Sequence, residues 1–200
     1  MLDPAGRKYF FQFDLKRGFM MDISIYLAGS IKKGDNDTKK TSYWTAAEEK
    51  KIVDCFGADY SVNILNPATF GIKRSDSFGN FGGDMYLVHE SDFIFVDARD
   101  KKGIGIGAEM AAAKYYHLPV VCLCAYDSYY KKRFLPNVYG EDLHNWIHPF
   151  IVGLSDYIAD TIEDAVKWMK KHLESPKPIK GLSIIDESIT YFVETQLNGR

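Results

Sequence analysis

The 200-residue sequence has no surplus of basic charge, since 27 Asp and Glu residues outnumber 25 Lys and Arg residues. Proteins that coat nucleic acid or adhere to acidic membranes depend on concentrated positive charge, so neither class fits this composition. Glycine and proline, at 16 and 7 residues, are too sparse for a fibrous or disordered chain. No apolar run approaches the ~20 residues that a membrane-spanning helix needs.

Cysteine is also scarce, and the three residues Cys55, Cys122 and Cys124 form no C-x-x-C pair. A zinc site needs more Cys or His ligands close by, so we expect buried reduced thiols and no metal. The first 20 residues carry scattered charges and no small-residue cleavage site, unlike a signal peptide. A reducing cytoplasm is therefore the expected location.

Short apolar runs alternate with segments of helical periodicity along the chain. This rhythm predicts right-handed crossovers and an α/β fold, a flavodoxin-like doubly wound five-stranded parallel sheet with helices on both faces. The ligand site of such a sheet lies at the carboxyl ends of the strands. Strands are predicted at residues 23–28, 61–65, 92–97, 118–125 and 146–152, and helices at 41–56, 84–91, 105–117 and 161–172.

The two ends of the chain differ from this regular pattern. Residues 1–20 mix charges with short aromatic clusters, and we expect an N-terminal appendage without regular order there. Residues 21–175 form the predicted domain, and residues 176–200 a linker with a C-terminal helix. Apolar residues within 185–197 share one face of that helix, which needs a partner surface on its own domain or on a second subunit.

The first candidate for function is the loop after the first predicted strand, Gly29-Ser30-Ile31-Lys32-Lys-Gly. Its glycines leave backbone N–H groups open to an anion or a sugar hydroxyl, and Ser30 and Lys32 add polar groups. The loop lacks the Gly-x-x-x-x-Gly-Lys-Ser/Thr pattern of nucleotide-triphosphate sites. A plain turn between strand and helix is the alternative.

The second candidate is Gly103-Ile-Gly105-Ile-Gly107-Ala-Glu109, between a buried strand and an Ala-rich helix. The glycine spacing and the position after the third strand do not match a dinucleotide-binding fingerprint. We expect Glu109 in the first helical turn, where the helix dipole favours an acidic residue. That position also aims its carboxyl at the predicted crevice.

Aspartates give the third candidate set. Asp97 ends a buried strand at the crevice rim, while Asp84 follows two glycines and is expected to be a helix N-cap. A structural role is the simpler interpretation of each. The preceding residues 67–83 are predicted to form a long loop, in which Phe70, Phe78 and Phe81 offer surfaces for stacking on a planar ligand.

The order of these motifs resembles the nucleoside 2-deoxyribosyltransferase superfamily. The similar segments are Tyr26-Leu-Ala-Gly29-Ser30, then Asp84 with Ser91-Asp92, then Gly105-Ile-Gly107-Ala-Glu109-Met-Ala-Ala, within residues 22–173. The superfamily includes transferases and deoxynucleoside 5′-monophosphate N-glycosidases, and the loop from Gly29 looks especially like the phosphate-binding loop of the N-glycosidases.

The resemblance implies roles for these residues. Glu109 would attack C1′ of a deoxyribose, and Asp84 would give a proton to the departing base. Tyr26, Asp97, the first loop and the glycines Gly103, Gly105 and Gly107 would contact the nucleoside or nucleotide. The resemblance implies a purine or pyrimidine base as the second substrate, no cofactor and a homo-oligomer.

The sequence departs from the superfamily's pattern six residues before Glu109, where transferases often have Asp and the monophosphate hydrolases Ser. Gly103 stands there, and Asp100 or Lys101 is a possible substitute. The superfamily also takes an Asn from a neighbouring subunit, for which Asn145 or His148 is a candidate. Three functions stay open: a transferase, a monophosphate N-glycosidase, and a non-catalytic nucleotide-binding or sensor module.

Overall fold

The computed structural model describes residues 11–14, 18–31, 43–71 and 75–197. Five parallel strands form a sheet in the order β3-β2-β4-β5-β8, and β1 pairs antiparallel with the first half of β2. The strands are β1 (Phe11–Asp14), β2 (Gly18–Ala28), β3 (Tyr60–Leu65), β4 (Phe93–Asp97), β5 (Val120–Leu123), β6 (Lys131–Val138), β7 (Glu141–Ile147) and β8 (Tyr157–Ala159). The helices are α1 (Ala46–Phe56), α2 (Ser77–His89), α3 (Ile104–Tyr115), α4 (Pro149–Leu154), α5 (Ile162–Glu174) and α6 (Ile184–Phe192), which continues as a π-helical turn, Val193–Leu197.

Helices cover both faces of the parallel sheet, so the predicted flavodoxin-like class is confirmed. On one face, the core packs against α1 and α5 through Ile52, Phe56 and Met169. On the other, it packs against α2, α3 and α4 through Val88, Met110 and further apolar residues. All residues of β4 and β5 are buried, as expected for parallel strands covered on both faces. None of the described helices is long and apolar enough to cross a membrane.

Local signals in the sequence account for several helix starts. Thr45 and Glu48 form a capping box at the start of α1: the Thr45 hydroxyl accepts the Glu48 N–H, and the Glu48 carboxylate accepts the Thr45 N–H. Thr161 caps α5 in the same position, with its hydroxyl accepting the N–H of Asp164. These caps satisfy N–H groups of the first helical turns, which explains where α1 and α5 begin.

The predicted long loop before Asp84 is wrong over its second half. Helix α2 begins at Ser77, capped by the Asp76 carboxylate, which accepts the N–H of Gly79 at 2.8 Å. Asp84 therefore lies inside α2 and is not its N-cap. The glycines Gly79, Gly82 and Gly83 disfavour a helix locally, but the packing of α2 against α3 outweighs that propensity.

The strand predicted at residues 146–152 is also wrong. Its residues fall on the end of β7 and on α4, which begins at Pro149. The last parallel strand is instead β8, which pairs with β5. Between β5 and α4 lies an unpredicted antiparallel hairpin of β6 and β7, whose turn residues Tyr139 and Gly140 both have positive φ.

The structure adds detail at both chain ends, where the predicted domain boundaries stay predictions. β2 begins at Gly18, before the predicted first strand, and its early residues pair with β1. At the other end, α6 packs beside α4 and none of its residues is buried. Among the described residues, Ile184 is the side chain of α6 that packs against the core.

Candidate active site

Tyr26 lies near the carboxyl end of β2, which has the parallel strands β3 and β4 as neighbours. Its side chain is fully buried in the core beneath α2 and α3. Its hydroxyl has no hydrogen-bond partner of normal geometry among the described residues. A buried hydroxyl needs a polar neighbour, and the Glu109 carboxyl is the group with which the Tyr26 hydroxyl interacts.

Glu109 is the acidic residue that α3 brings to the same place. It lies in the second turn of the helix rather than in the predicted first turn, because α3 begins at Ile104. The side chain is 8% exposed, and Oε2 has no hydrogen-bond partner within the described part of the chain. Gly105, one turn earlier, faces the carboxyl: a Cβ there would lie 3.6 Å from Glu109 Oε1, an ordinary van der Waals contact.

Asp84 supplies a second carboxyl from the middle of α2, where it is half-buried. Burial raises the pKa of Glu109 to about 7, and the negative charge of Asp84 contributes to this rise. Tyr26 offsets part of it by favouring the ionised carboxylate. Burial and the same two carboxyls raise the pKa of Tyr26 itself, so its hydroxyl stays protonated. Tyr26, Asp84 and Glu109 thus interact electrostatically, and near neutral pH the carboxyl pair readily holds a proton.

Asp97 ends β4 and is completely buried. Arg99 Nε donates to Asp97 Oδ1 at 2.8 Å, and Lys102 Nζ donates to Asp97 Oδ2 at 2.8 Å. Arg99 also pairs with Glu48 of α1 and lies over the ring of Trp44. The carboxylate of Asp97 therefore organises the cations at the end of the strand.

The loop after β2 is shaped by an aromatic ring. A Cβ on Gly29 would come within 2.9 Å of Trp44 Cδ1, so the backbone passes close to the indole. Trp44 Nε1 donates to the carbonyl of Ala28 at 3.0 Å, which holds the ring there. Ser30 and Ile31 line a cavity of about 110 Å³ beside Trp44. Lys32 lies outside the described residues.

The glycines before Glu109 do not share one side of α3. Gly103 and Gly107 line a cavity of about 210 Å³, whereas Gly105 faces Glu109. Residues four apart lie on the same side of a helix, which explains both pairings. The cavity is closed on other sides by Lys102, Tyr130 and His148, among others.

The two residues predicted to act from a neighbouring subunit occupy different positions. Asn145 is an exposed residue of β7 with a positive φ of 52°. His148 caps α4, accepting the N–H of Phe150 through Nδ1 at 3.4 Å, and lines the 210 Å³ cavity of its own chain. Their predicted action in another subunit stays a prediction.

Three of the aromatic residues predicted to stack on a base are exposed, at 42% for Phe70, 84% for Phe78 and 56% for Phe81. Phe78 and Phe81 approach each other at 6.4 Å between ring centroids near the start of α2. They could therefore meet a ligand, and their stacking role stays a prediction.

Sequence reasoning missed the cations beside Asp97. Lys102 reaches both Asp97 and the cavity that Gly103 lines. The suggested substitution by Asp100 or Lys101 for the departure at Gly103 stays a prediction. The backbone N–H of Lys102 also donates to the Tyr130 hydroxyl at 3.0 Å. The signal in the sequence was the basic pair Arg99 and Lys102 directly after the buried strand.

Together, the fold and these contacts define a doubly wound α/β protein in which a buried glutamate interacts with a half-buried aspartate. Among His, Cys, Asp and Glu residues of the described ranges, no group has the arrangement of a metal site. The pair can hold and release a proton at neutral pH, and a deprotonated Glu109 can act as a nucleophile or stabilise a positive centre.

The solved structures to which the chain is similar include the following two. The chain is 13% identical to a 2-desoxiribosyltransferase from Leishmania mexicana, covering 87% of this chain and 99% of that one with a TM-score of 0.42. It is 12% identical to the CMP N-glycosidase BcmB from Clostridium botulinum, covering 74% of this chain and 98% of that one with a TM-score of 0.36.

The names of these two structures describe a deoxyribosyltransferase and an N-glycosidase. At these identities and TM-scores, the likeness adds no argument about the activity, substrate or assembly of this chain. No model of a known protein family matches the sequence. No curated protein matches it either.

Proposed function

We propose that this protein cleaves the N-glycosidic bond of a nucleoside and transfers the 2-deoxyribosyl group to an acceptor base. The observation that carries the proposal is the carboxyl of Glu109, buried beside Asp84 and Tyr26 with Oε2 lacking a hydrogen-bond partner in the described residues. Motif order in the sequence supports the same assignment. A buried carboxyl with an open lone pair fits an electron-poor sugar carbon, whose positive charge would offset the cost of burial.

The first half-reaction needs Glu109 ionised and Asp84 protonated. A Glu109 oxygen forms a bond to C1′ while the C1′–N bond breaks, and the electron pair of that bond goes to the base nitrogen. The Asp84 carboxyl gives its proton to the departing base, which is a poor leaving group when anionic. The products of this step are a deoxyribosyl ester on Glu109 and a free base.

The second half-reaction reverses these roles. A nitrogen of the acceptor base attacks C1′, the ester bond to Glu109 breaks, and Asp84 takes up the proton that the attacking nitrogen loses. Tyr26 is a positioning residue in this scheme, since its hydroxyl favours the ionised form of Glu109. Gly105 faces the carboxyl, and the loop from Gly29 is proposed to contact the sugar end of the substrate.

A direct test mixes a deoxynucleoside with a different free base and separates the products by chromatography. The proposal expects a new deoxynucleoside in wild-type reactions and none with Glu109→Gln. Glu90→Gln, an exposed glutamate at the end of α2, is the matched control and keeps full activity. Release of base without any exchanged nucleoside contradicts the transferase.

Hydrolysis of a deoxynucleoside 5′-monophosphate is the second candidate. Gly103 favours it, because the position where transferases often have a carboxylate here has no side chain. In this reaction the oxygen of a water molecule attacks C1′, the ester bond between C1′ and Glu109 breaks to return the carboxylate, and the water gives a proton to Asp84. Free base released from a monophosphate, but not from the nucleoside, supports this candidate over the transferase.

A binding or sensor module without catalysis is the third candidate. It predicts that a nucleotide binds without turnover and that binding survives Glu109→Ala. Calorimetry with a deoxynucleoside monophosphate, combined with product analysis, separates this outcome from both enzymes. We also propose that the protein works as a homo-oligomer on small substrates.

A further inference from the structure

Arg99 follows the end of β4 and joins that strand to the start of α1. Its Nε donates to Asp97 Oδ1 at 2.8 Å, and its Nη1 pairs with the carboxylate of Glu48 in the first turn of α1. The guanidinium carbon also lies 5.5 Å from the ring centroid of Trp44, two residues before α1 begins. One side chain therefore contacts two carboxylates and an indole from different parts of the chain.

The stability of the fold does not by itself account for an arginine at this position. Asp97 is already paired with Lys102, whose side chain is almost completely buried. The Nη2 atom of Arg99 is buried, and among the described residues it has no hydrogen-bond partner. Because a buried donor without a partner lowers the stability of the folded state, the contact of the guanidinium with Trp44 points to a further role.

Trp44 connects Arg99 to the loop after β2. A Cβ on Gly29 would lie 2.9 Å from Trp44 Cδ1, and Trp44 Nε1 donates to the carbonyl of Ala28 at 3.0 Å. Ser30 and Ile31 follow in the loop and line the 110 Å³ cavity, to which Trp44 also contributes. A shift of the indole would therefore move the backbone of this loop or change the shape of the cavity.

The indole is held from β4 as well as by Arg99. The ring centroids of Trp44 and Phe95 are 4.8 Å apart, and Phe95 is fully buried in the core. Arg99 is the charged contact of the ring, and its planar guanidinium covers more of an aromatic ring than the compact ammonium of a lysine does. A lysine at position 99 would keep the positive charge for the two carboxylates but would cover the indole less well.

We propose that Arg99 is a positioning residue for substrate binding, which acts on the loop from Gly29 through Trp44. This inference rests on the proposed function, in which that loop contacts the sugar end of the substrate. The proposed nucleophile Glu109 lies on α3, which covers the opposite face of the sheet from Trp44 and α1. Arg99 should therefore affect the binding of substrate more than the rate of bond cleavage.

Steady-state kinetics of Arg99→Lys with a deoxynucleoside and an acceptor base test this role. We expect KM for the deoxynucleoside to rise about 10-fold or more and kcat to stay within about twofold of wild type, because the change weakens positioning and not chemistry. Arg133→Lys is the matched control. Arg133 also pairs with a carboxylate, Asp127, and lies 5.2 Å from the ring centroid of Tyr126, but it belongs to β6 and is mostly exposed. This control keeps the wild-type KM.

Trp44→Phe shows whether the effect passes through the indole. Arg99→Lys should raise KM less in the Trp44→Phe background than in wild type, because the two residues are in direct contact. A measurement without substrate is the NMR signal of the Trp44 indole N–H, assigned as the signal that Trp44→Phe lacks. It should shift in Arg99→Lys and stay in place in Arg133→Lys.

Failure of this inference is distinguishable from failure of the proposed function. A wild-type protein that neither converts nor binds a deoxynucleoside or its 5′-monophosphate contradicts both. Wild-type turnover combined with an unchanged KM in Arg99→Lys overturns this inference alone, and so does a loss of kcat without a rise in KM. Fully additive effects of Arg99→Lys and Trp44→Phe, or an unmoved indole signal, also overturn it.

Two further outcomes have their own readouts. If the wild type binds a deoxynucleoside monophosphate without turnover, the dissociation constant from calorimetry takes the place of KM, with the same expected rise in Arg99→Lys. If urea titration shows that Arg99→Lys does not fold, Trp44→Phe alone decides, because it removes the hydrogen bond to Ala28 while keeping an aromatic ring. An unchanged KM or dissociation constant in that variant overturns the inference.

Discussion

Lys102 Nζ lies 2.8 Å from Asp97 Oδ2, and both side chains are almost completely buried, at 3% and 0% exposure. Arg99 shares the same carboxylate. Asp97 therefore balances two cations at the end of β4, immediately before the helix that carries Glu109. A ligand that contacts Asp97 would therefore meet a carboxylate that is already paired with Arg99 and Lys102.

Replacing Asp97 tests its part in the fold. Asp97→Asn removes one negative charge from beside two cations, and breaking a buried pair typically costs about 3–5 kcal/mol. We expect the free energy of unfolding to fall by about 3 kcal/mol in urea titrations. Asp54→Asn is the control, since its pair with Lys50 is mostly exposed and contributes less than ~1 kcal/mol. If both variants lose the same unfolding free energy, the ion pairs of Asp97 stabilise the fold no more than an exposed pair does.

The loop after β2 gives a steric prediction. Gly29→Ala places a Cβ 2.9 Å from Trp44 Cδ1, and crowding of this kind costs about 1–3 kcal/mol of unfolding free energy. Gly107→Ala is the matched control: a Cβ there meets nothing within 4 Å, and alanine is the better helix former. Thermal unfolding should show a lower midpoint for the first variant and an equal or higher one for the second.

A double-mutant cycle assigns the cause. Gly29→Ala should cost less when Trp44→Phe has removed the larger ring, because the two residues interact directly. Additive losses across the cycle would mean that the indole is not what limits position 29.

The pKa of Glu109 predicts how stability depends on pH. Its folded pKa of about 7 lies above the ordinary value of 4.5, so the folded state binds this proton more tightly than the unfolded state. The stabilisation of the folded state by this proton is complete at a pH below the ordinary pKa of 4.5. It is lost as the pH rises through the folded-state pKa of about 7. Glu109→Gln, which cannot ionise, should therefore gain up to about 3 kcal/mol relative to wild type between pH 4.5 and pH 8.

Urea titrations of both proteins at several pH values check this. The expected difference is small in acid and constant above pH 8. If the difference in unfolding free energy between Glu109→Gln and wild type does not change with pH, the pKa of the buried carboxyl is not raised.

The hydroxyl of Tyr26 predicts a shift in the pH profile of catalysis. Tyr26→Phe removes the group that favours the ionised Glu109, so the pKa of Glu109 should rise further. Because the proposed nucleophile acts in its ionised form, the ascending limb of kcat/KM should move to higher pH. If Tyr26→Phe lowers activity equally at all pH values, the hydroxyl does not act through the pKa of Glu109. Tyr60→Phe, at a tyrosine on β3, is the control and should leave the pH profile unchanged.

Local patterns in the sequence predicted much of the parallel sheet. β4 and β5 are continuous apolar runs, and α1 and α5 carry Thr caps with an acidic residue three positions on. The order of the motifs also selected Tyr26, Asp84 and Glu109, which the structure brings together. These elements were predictable because periodicity and capping act within a few residues.

The errors lie where contacts distant in sequence decide the outcome. α2 forms through Gly79, Gly82 and Gly83 because α3 packs against it, and propensity gave no sign of this. The β6–β7 hairpin depends on a turn at Tyr139 and Gly140, where a tyrosine adopts a positive φ that is uncommon for that residue. In each case a local preference was opposed by the rest of the fold.

The sequence by itself determined the alternation of strands and helices, and so the class of sheet, because burial on both faces demands continuous apolar strands. Tertiary structure alone decided the electrostatics of the carboxyl pair. Glu109 and Asp84 lie on different helices, and the pKa of Glu109 rises only when folding removes water from around it and brings the second charge near. Desolvation is a property of the assembled layers, which no segment has before they pack.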